Sequence, residues 1–487
     1  MSRSSLAAPL AATVVCLAAA PAVAGASVPV GPGLNAGGAT VDVLVDPSGT
    51  AADVAWRAPD TTGAADRYAF NACRVTLTRT PLRCDRTPQR LGSILDANGA
   101  AKSLGPVRLL RQADGRTYVV TDQAGKWLWE RPTGATSFGP VRQLSAQGGT
   151  TERTTPVLTR DGASILFPAW GSFGASVSSA PIAGDAALTS NTILDRTAAN
   201  GAANPASNDV APLADGSTIA VVSGAGGNPH LYRLPAGGDP NLTTAWGTAA
   251  RVPGVTGRSA LGANAGTAFL ATRTSGGLEV RKTTGATFGP PVTTATGATP
   301  NLQVDVSPGA RALVVGTLGS SSLRAVVSRT AGASFSTSQV AADEPIGQPA
   351  LSVGDDGRGL AVWTGRGGEV RMAPIAPGPQ LVRRGGFGLE VPAGCLSGAA
   401  LTQLRLSTVR RLRSGSRIRS VEFLVDGRRV GTDRRAPYSL SFKLPASAKA
   451  KAKAKITARI TVVRRDRTTS RTTVLANVAP CGAPSGS

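Results

Sequence analysis

Seven times in this chain an apolar strand runs into a tight turn and a second apolar strand leaves it. The clearest copy is Pro156-Val-Leu-Thr-Arg-Asp-Gly-Ala-Ser-Ile-Leu-Phe-Pro-Ala-Trp170. The turns centre on Gly49, Gly115, Gly162, Gly216, Gly266, Gly309 and Gly357, at gaps of 66, 47, 54, 50, 43 and 48 residues. Glycine suits these places because a tight hairpin puts one residue at positive φ, where a Cβ clashes. The strands after the turns, such as Ile219-Ala-Val-Val222, Ala312-Leu-Val-Val315 and Leu360-Ala-Val-Trp363, are continuous apolar runs. Runs of that kind fit strands covered on both faces.

A third element follows in several copies, as in Trp129-Glu-Arg-Pro-Thr-Gly-Ala-Thr-Ser-Phe138, Glu279-Val-Arg-Lys-Thr-Thr-Gly-Ala-Thr-Phe288 and Val326-Val-Ser-Arg-Thr-Ala-Gly-Ala-Ser-Phe335. A strand-turn-strand-loop-strand unit recurring every ~40–50 residues predicts blades of a propeller. A row of β-sandwiches would repeat at about 100 residues. Gly and Pro interrupt every window in which a helical stripe could run. The expected fold is all-β, a seven-bladed β-propeller over residues 41–376 followed by a smaller strand-rich module over 391–482. A linker is expected at 377–390, a tail at 483–487 and a loose Gly/Ala/Pro-rich leader at 27–40.

The N-terminus reads as an export signal over residues 1–26. Arg3 precedes an apolar stretch from Leu6 to Ala20, and Ala22-Val-Ala24 or Ala24-Gly-Ala26 offers a cleavage site. The stretch carries Pro9 and is short for a span of ~20 residues, so a membrane anchor is disfavoured and no membrane span is expected. Val15 before Cys16 fits a lipoprotein signal poorly. Export leaves four cysteines, for which three connectivities exist. Local pairing gives Cys73–Cys84 and Cys395–Cys481 in an oxidising exterior. Their spacing fits no zinc motif, and His230 is the sole histidine.

The net charge of +23 is uneven. Residues 383–487 hold 22 Lys/Arg against 5 Asp/Glu, and the first 382 residues hold 30 against 24. Candidate polyanion-binding residues in the basic part are Arg410, Arg411, Arg413, Arg434, Arg435, Lys449, Lys451, Lys453 and Lys455. A surface this cationic attracts anionic cell-wall polymers, acidic glycans or nucleic acid with strong salt dependence. The alternative is a solvated arginine-rich face. No helix-turn-helix, zinc finger or aromatic RNA platform appears, so specific nucleic-acid recognition is not expected.

Two resemblances refine these expectations. The Gly-Ala-Thr-Phe turns resemble degenerate copies of the Asp-box turn, Ser-x-Asp-x-Gly-x-Thr-Trp/Phe, of sialidase-type bacterial β-propellers. Ser328, Gly332, Ser334 and Phe335 match in one copy, and Gly285, Thr287 and Phe288 in another, with Thr330 and Thr283 at the Asp position. In that family the turn stabilises the fold away from the active site. Val421-Glu-Phe-Leu-Val-Asp-Gly427, followed by Pro437-Tyr-Ser439, is similar to bacterial immunoglobulin-like modules appended to secreted proteins, and the resemblance implies a small immunoglobulin-like β-sandwich over 391–482.

A sialidase-like reaction needs placed carboxyl groups, or a tyrosine nucleophile with an acidic partner and an arginine cluster. Tyr68, Tyr118 and Tyr232 have no acidic neighbour motif, and Glu130, Glu152, Glu279 and Asp305 form no marked pair. No Gly-x-Ser-x-Gly elbow stands ready to use His230, which reads as a turn-to-strand surface residue. Asp355-Asp356 is a hairpin turn before it is a calcium loop. No catalytic, metal or cofactor residue is therefore assigned, and no cofactor is expected. The expected role is a secreted, monomeric, non-catalytic binding protein, extracellular or associated with the cell wall. Its propeller would present a face to a glycan or surface protein, and its basic module would favour anionic wall polymers. The alternative from a different class is a divergent extracellular sialidase-like glycoside hydrolase or polysaccharide lyase.

Overall fold

The computed structural model describes residues 27–33, 40–59, 68–79, 81–92, 94, 106–122, 125–145, 155–171, 174–183, 192–195, 207–223, 229–255, 259–274, 277–284, 287–294, 301–318, 323–328, 335–341, 346–365, 367–375, 380–391, 401–408, 412, 414–436, 438–445, 448 and 454–478. The chain is all-β. After β1 (Val28–Pro32), the first sheet holds β2 (Val41–Val45), β3 (Ala51–Pro59), β4 (Tyr68–Thr76) and β5 (Gln89–Gly92). The second holds β6 (Val107–Arg111), β7 (Thr117–Asp122), β8 (Lys126–Arg131) and β9 (Val141–Ser145). The third holds β10 (Val157–Leu158), β11 (Ser164–Gly171), β12 (Gly174–Pro181) and β13 (Thr192–Asp195). The fourth holds β14 (Ser207–Pro212), β15 (Thr218–Ser223), β16 (His230–Leu234) and β17 (Ala250–Arg251).

In the fifth, β18 (Ser259–Asn264), β19 (Thr267–Thr274) and β20 (Gly277–Thr284) are joined by β21 (Thr287–Phe288) and β22 (Val292–Thr294), which both pair with β20. The sixth holds β23 (Asn301–Val306), β24 (Leu313–Leu318), β25 (Leu323–Ser328) and β26 (Ser336–Ala341). The seventh holds β27 (Ile346–Val353), β28 (Gly359–Thr364) and β29 (Glu369–Ile375), and β1 returns as its outer strand. All pairings in these seven sheets are antiparallel, and apart from this return and β20 with β22 they join consecutive strands.

The first strands pack in cyclic order: β2 on β6, β6 on β10, β10 on β14, β14 on β18, β18 on β23, β23 on β27 and β27 on β2. Among the described residues no hydrogen-bonded ladder joins neighbouring sheets; side chains do. Each apolar run feeds two cores. Ile219 and Val221 pack toward the fifth sheet, whereas Ala220 and Val222 pack toward the third. Leu313 and Val315 face the fifth sheet, and Ala312 and Val314 face the seventh. Burial on both faces explains why these strands lack polar alternation, and each Val or Leu so buried is worth ~1.5–3 kcal/mol.

The turns joining first to second strands meet on one face. Asp355 N–H donates to the Pro47 carbonyl at 3.0 Å, Gly309 N–H to Asp355 Oδ1 at 2.8 Å, and Ala214 N–H to the Gly266 carbonyl at 3.0 Å. Six of the seven predicted glycines have positive φ, from +67° at Gly49 to +94° at Gly115. Gly309 does not. Ala310 takes the left-handed place at +52°, and Gly309 is bare because a Cβ would lie 2.4 Å from Asp355 Oδ2.

Two boundaries differ from expectation. Part of the loose leader 27–40 is β1, whose register runs from Val28 opposite Met372 to Pro32 opposite Glu369. Arg371 Nη2 donates to Ser27 Oγ at 2.7 Å, and Trp56 Nε1 donates to the Pro32 carbonyl at 3.1 Å, so the segment clamps the seventh sheet and touches the first. Pro29 and Pro32 are tolerated because an outer strand has one side without a ladder. The linker expected at 377–390 is mostly a hairpin: β30 (Gln380–Arg384) pairs with β31 (Phe387–Val391) through Gly385 and Gly386, both at positive φ.

That hairpin opens the C-terminal module. It continues with β32 (Leu401–Thr408), β33 (Arg417–Val425), β34 (Arg428–Asp433), β35 (Ser439–Lys443), β36 (Ala454–Val463) and β37 (Thr469–Val478). One sheet has the order β30-β31-β32-β35 and the other β34-β33-β36-β37. They share one core, in which Phe387, Leu389 and Leu404 meet Phe423, Ile456 and Ile460. Among the described residues, no helix is long and apolar enough to cross a membrane.

Candidate functional site

Where the first strands meet, their polar side chains reach forward to the next sheet. Asp42 Oδ2 accepts from Leu109 N–H at 2.7 Å, and Asp209 Oδ2 from Leu261 N–H at 3.1 Å. Asp305 Oδ2 accepts from Val353 N–H, and Ser352 Oγ from Val45 N–H, both at 3.0 Å. Each bond satisfies a buried backbone donor that has no ladder partner of its own. Arg108 is buried among them, with Nη1 4.0 Å from Asp42 Oδ1.

Burial governs the protonation of this group. It pushes the Asp42 carboxyl up to about 6, restrained by the Arg108 guanidinium and the Leu109 N–H. It pushes Asp209 up to about 7 against the Leu261 N–H and Arg108. Asp305 also rises to about 7 through burial, held back by Ser352 and the Val353 N–H and raised further by Asp42. Burial lowers Arg108, and Asp42 and Asp209 oppose that. The cluster can hold protons near neutral pH, yet each carboxyl is also a staple between sheets. Sequence alternation alone did not single out Asp42, Arg108 or Asp209; only Asp305 was considered, as one of several unpaired acids.

A second buried group joins the first two sheets. Asp53 Oδ1 and Oδ2 accept from Arg131 at 2.7 and 2.6 Å, Oδ2 accepts from Arg111 at 2.8 Å, and Arg74 Nη1 lies 3.3 Å away. Burial alone would raise the Asp53 carboxyl; Arg131, then Arg74 and Arg111, outweigh it and hold it below the usual range. This network spends the charge of Arg131 and Arg111 inside the molecule.

The other predicted residues separate. Cys73 and Cys84 form a disulfide. A cleft of about 410 Å³ lies beside it, lined by Pro29, Val30 and residues 83–88. Cys395, Cys481, Arg410, Arg411, Arg413, Lys449, Lys451 and Lys453 lie outside the described residues. Arg434 and Arg435 are exposed between β34 and β35, while Lys455 is exposed on β36 at the opposite end of the module. Tyr118 donates to Gln112 Oε1 at 2.7 Å, Tyr232 is buried, and His230 is half-buried at the start of β16. Glu130 and Glu279 are ion-paired with Arg116 and Arg281.

The closing turns lie between third and fourth strands. Gly139 N–H donates to the Glu130 carbonyl and Gly289 N–H to the Lys282 carbonyl, each at 2.8 Å, while Phe138 and Phe288 pack into inter-sheet cores. Gly247 N–H makes the same bond to Arg233, with Trp246 as the aromatic. That copy escapes the sequence pattern because residues 235–245 lengthen its loop.

No family model matches the chain, and no curated protein matches it. Solved structures do. A copper-bound fungal alcohol oxidase of the AA5 family is 11% identical, over 94% of this chain and 98% of that one, with a TM-score of 0.44. The Dos1 propeller is 11% identical over 71% and 94%, at 0.39. The Swd1 β-propeller domain of Myceliophteria thermophila is 12% identical over 70% and 97%, also at 0.39. This all-β chain therefore has β-propeller proteins among its structural neighbours, and the likeness extends to neither ligand nor activity.

Proposed function

We propose that the seven sheets are the blades of a seven-bladed β-propeller, that the two-sheet module is immunoglobulin-like, and that the protein is exported to bind an extracellular glycan or surface protein without turning it over. The cyclic packing of the first strands and a core between each pair of neighbouring sheets support the blade count. The observation that carries the binding role is the difference between the two faces. One is occupied by hairpin tips hydrogen-bonded to their neighbours. The other carries the starts of the first strands, among them β2 and β6. Strand ends on a rigid scaffold are where propellers present ligand-binding groups. Asp42 and Arg108, near the starts of their strands, lie toward that open face.

The non-catalytic role rests on the engagement of the central carboxyls as staples. A glycan and surface-protein binding array, run beside a turnover screen on sialosides and acidic polysaccharides, tests it. Retention without turnover is expected. Turnover abolished by Asp42→Asn or Asp209→Asn would establish the alternative, a glycan hydrolase or lyase, for which carboxyls that titrate near neutrality are the supporting observation.

A further inference from the structure

The strand directions of the C-terminal module bring four connections to one end. These are the β30–β31 tip, the segment entering β33, the β34–β35 loop and the β36–β37 turn. Contacts confirm the gathering. A Cβ on Gly415 would lie 3.0 Å from Arg465 Cβ, and one on Gly385 would lie 3.0 Å from Thr472 Cγ2. Tyr438 Oη donates to the Ile418 carbonyl at 3.1 Å, which ties the β34–β35 loop to the start of β33. The chain enters the module at the opposite end, where β30 begins, and the arginine-bearing end is termed distal for that reason alone.

Every connection there carries exposed arginine. Arg383 and Arg384 stand at the first tip, and Arg417 and Arg419 on the entry to β33. Arg434 and Arg435 occupy the third loop; Arg464, Arg465 and Arg467 fill the turn, with Arg471 just beyond it. Two acids share the end, and both are hydrogen-bonded within the loops that carry them. Asp433 accepts from Arg435 N–H at 3.0 Å and Ser439 N–H at 2.8 Å, and Asp466 accepts from Thr468 N–H at 2.9 Å. Among the described residues no guanidinium of this end lies within 4.0 Å of a carboxylate, although Arg464 acts on Asp466 at longer range, in contrast to Arg131 and Arg111 on Asp53. Crowded like charge lowers stability, so its convergence from four separated segments calls for an anionic partner.

We propose that this distal end is a binding surface for a linear anionic polysaccharide; the inference deepens, and rests on, the reading of the module as a binder of anionic surfaces. Strands spaced ~4.8 Å apart in sheets ~10 Å apart give a footprint of roughly 15 by 10 Å. That is too wide for one small anion and suits successive charges along a polymer. Guanidinium forks pair bidentately with carboxylate, sulfate and phosphate. Nucleic acid is disfavoured by the aromatics present: Phe387 is buried, and Tyr438 is half-buried and engaged through its hydroxyl. Among the described residues, single-stranded bases lack an exposed aromatic platform there.

The test uses the full chain and two variants that remove equal charge. Arg384→Gln/Arg434→Gln/Arg464→Gln alters the distal end; Arg428→Gln/Arg429→Gln/Lys455→Gln alters the opposite end. Dissociation constants for heparin and hyaluronate are measured across a salt series, with double-stranded DNA and neutral dextran as comparators. The distal variant is expected to weaken heparin binding by about tenfold or more and to flatten its salt dependence, while the opposite variant stays within about twofold. Arg384→Lys/Arg434→Lys/Arg464→Lys keeps the charge and the packing of the stems; a loss of several-fold is expected from the missing forks, and it serves if the glutamine variant folds poorly. Equal loss in both glutamine variants would overturn the distal assignment while leaving the basic module a polyanion binder. DNA bound more tightly than both polysaccharides would overturn the partner class. No retention of wild type on any polyanion at low salt would defeat the underlying reading itself.

Discussion

Asp53 sits buried in the first sheet with three guanidiniums around it, whereas the distal arginines of the C-terminal module face solvent beside acids already committed to backbone N–H groups. The same residue type thus closes an interface in one region and is displayed in the other. The net charge of +23 does not reveal this division, because it counts Arg131 and Arg464 alike. Burial and pairing decide which cations are available to a partner.

Removing the carboxylate from the buried network is the strongest way to break the contrast. Asp53→Ala leaves Arg131 and Arg111 facing each other at the joint between two sheets. A loss of ~3–5 kcal/mol is expected, read by chemical denaturation of the full chain. Arg464→Gln in the module should change stability by less than about 0.5 kcal/mol. Equal effects at the two sites would show that exposure and pairing do not separate them.

Acidity probes the centre of the sheets. The carboxyls of Asp42, Asp209 and Asp305 are raised in the folded chain, so between about pH 4 and 7 the folded state binds more protons than the unfolded state. Stability from these groups is full below their unfolded value of 3.8 and is lost as pH rises through about 6 to 7. Asp53 has the opposite sign: its contribution is present above 3.8 and falls away in acid. The chain should be most stable in mild acid. Asp209→Asn keeps an acceptor for Leu261 N–H and removes one titration. It should flatten the decline between pH 5 and 8 by at most about 3 kcal/mol. An unchanged slope would show that Asp209 does not titrate in that range.

The disulfide gives a smaller effect. Cys73→Ser/Cys84→Ser opens a loop of 11 residues, for which chain entropy predicts a loss of about 3 kcal/mol. The cost should appear in the melting of the first seven sheets and leave polyanion binding by the module unchanged.

Much of the architecture was legible because it repeats. A hairpin glycine, an apolar run and a closing aromatic recur with constant chemistry, and continuous apolar strands announce cover on both faces. Cys73 and Cys84 were readable from proximity. The segment 28–32 was not, since Pro and Gly read as loop unless the strand it joins is known to need an outer neighbour. Nor was the β30–β31 hairpin, whose Arg-Arg-Gly-Gly tip has the composition of a linker. Asp42 and Asp209 were hidden because a short alternating strand looks the same whether its polar side chain faces water or the next sheet. The distal arginines were readable as composition but not as a surface; strand direction separates Arg434 and Arg435 from Lys455.

The hairpin tips supply the finest test of how the repeating sheets differ from the module. In the module, Asp426 and Arg467 adopt positive φ at +50° and +64°, and Asp426 offsets that conformation by accepting from Lys455 N–H at 2.8 Å. Ala310, at +52° in the sixth sheet, has no side-chain group with which to do the same. Ala310→Gly should therefore stabilise the chain by about 0.5–1 kcal/mol, because glycine enters the left-handed region without a Cβ clash. Gly309→Ala, one residue earlier, should destabilise it, since the added Cβ would meet Asp355 Oδ2 at 2.4 Å and disturb the tip-to-tip bond. Opposite signs from two adjacent single-methyl changes, read in the same denaturation experiment, would place the strain at Ala310 and the close approach at Gly309. The same sign from both would mean that the turn shifts register as a unit.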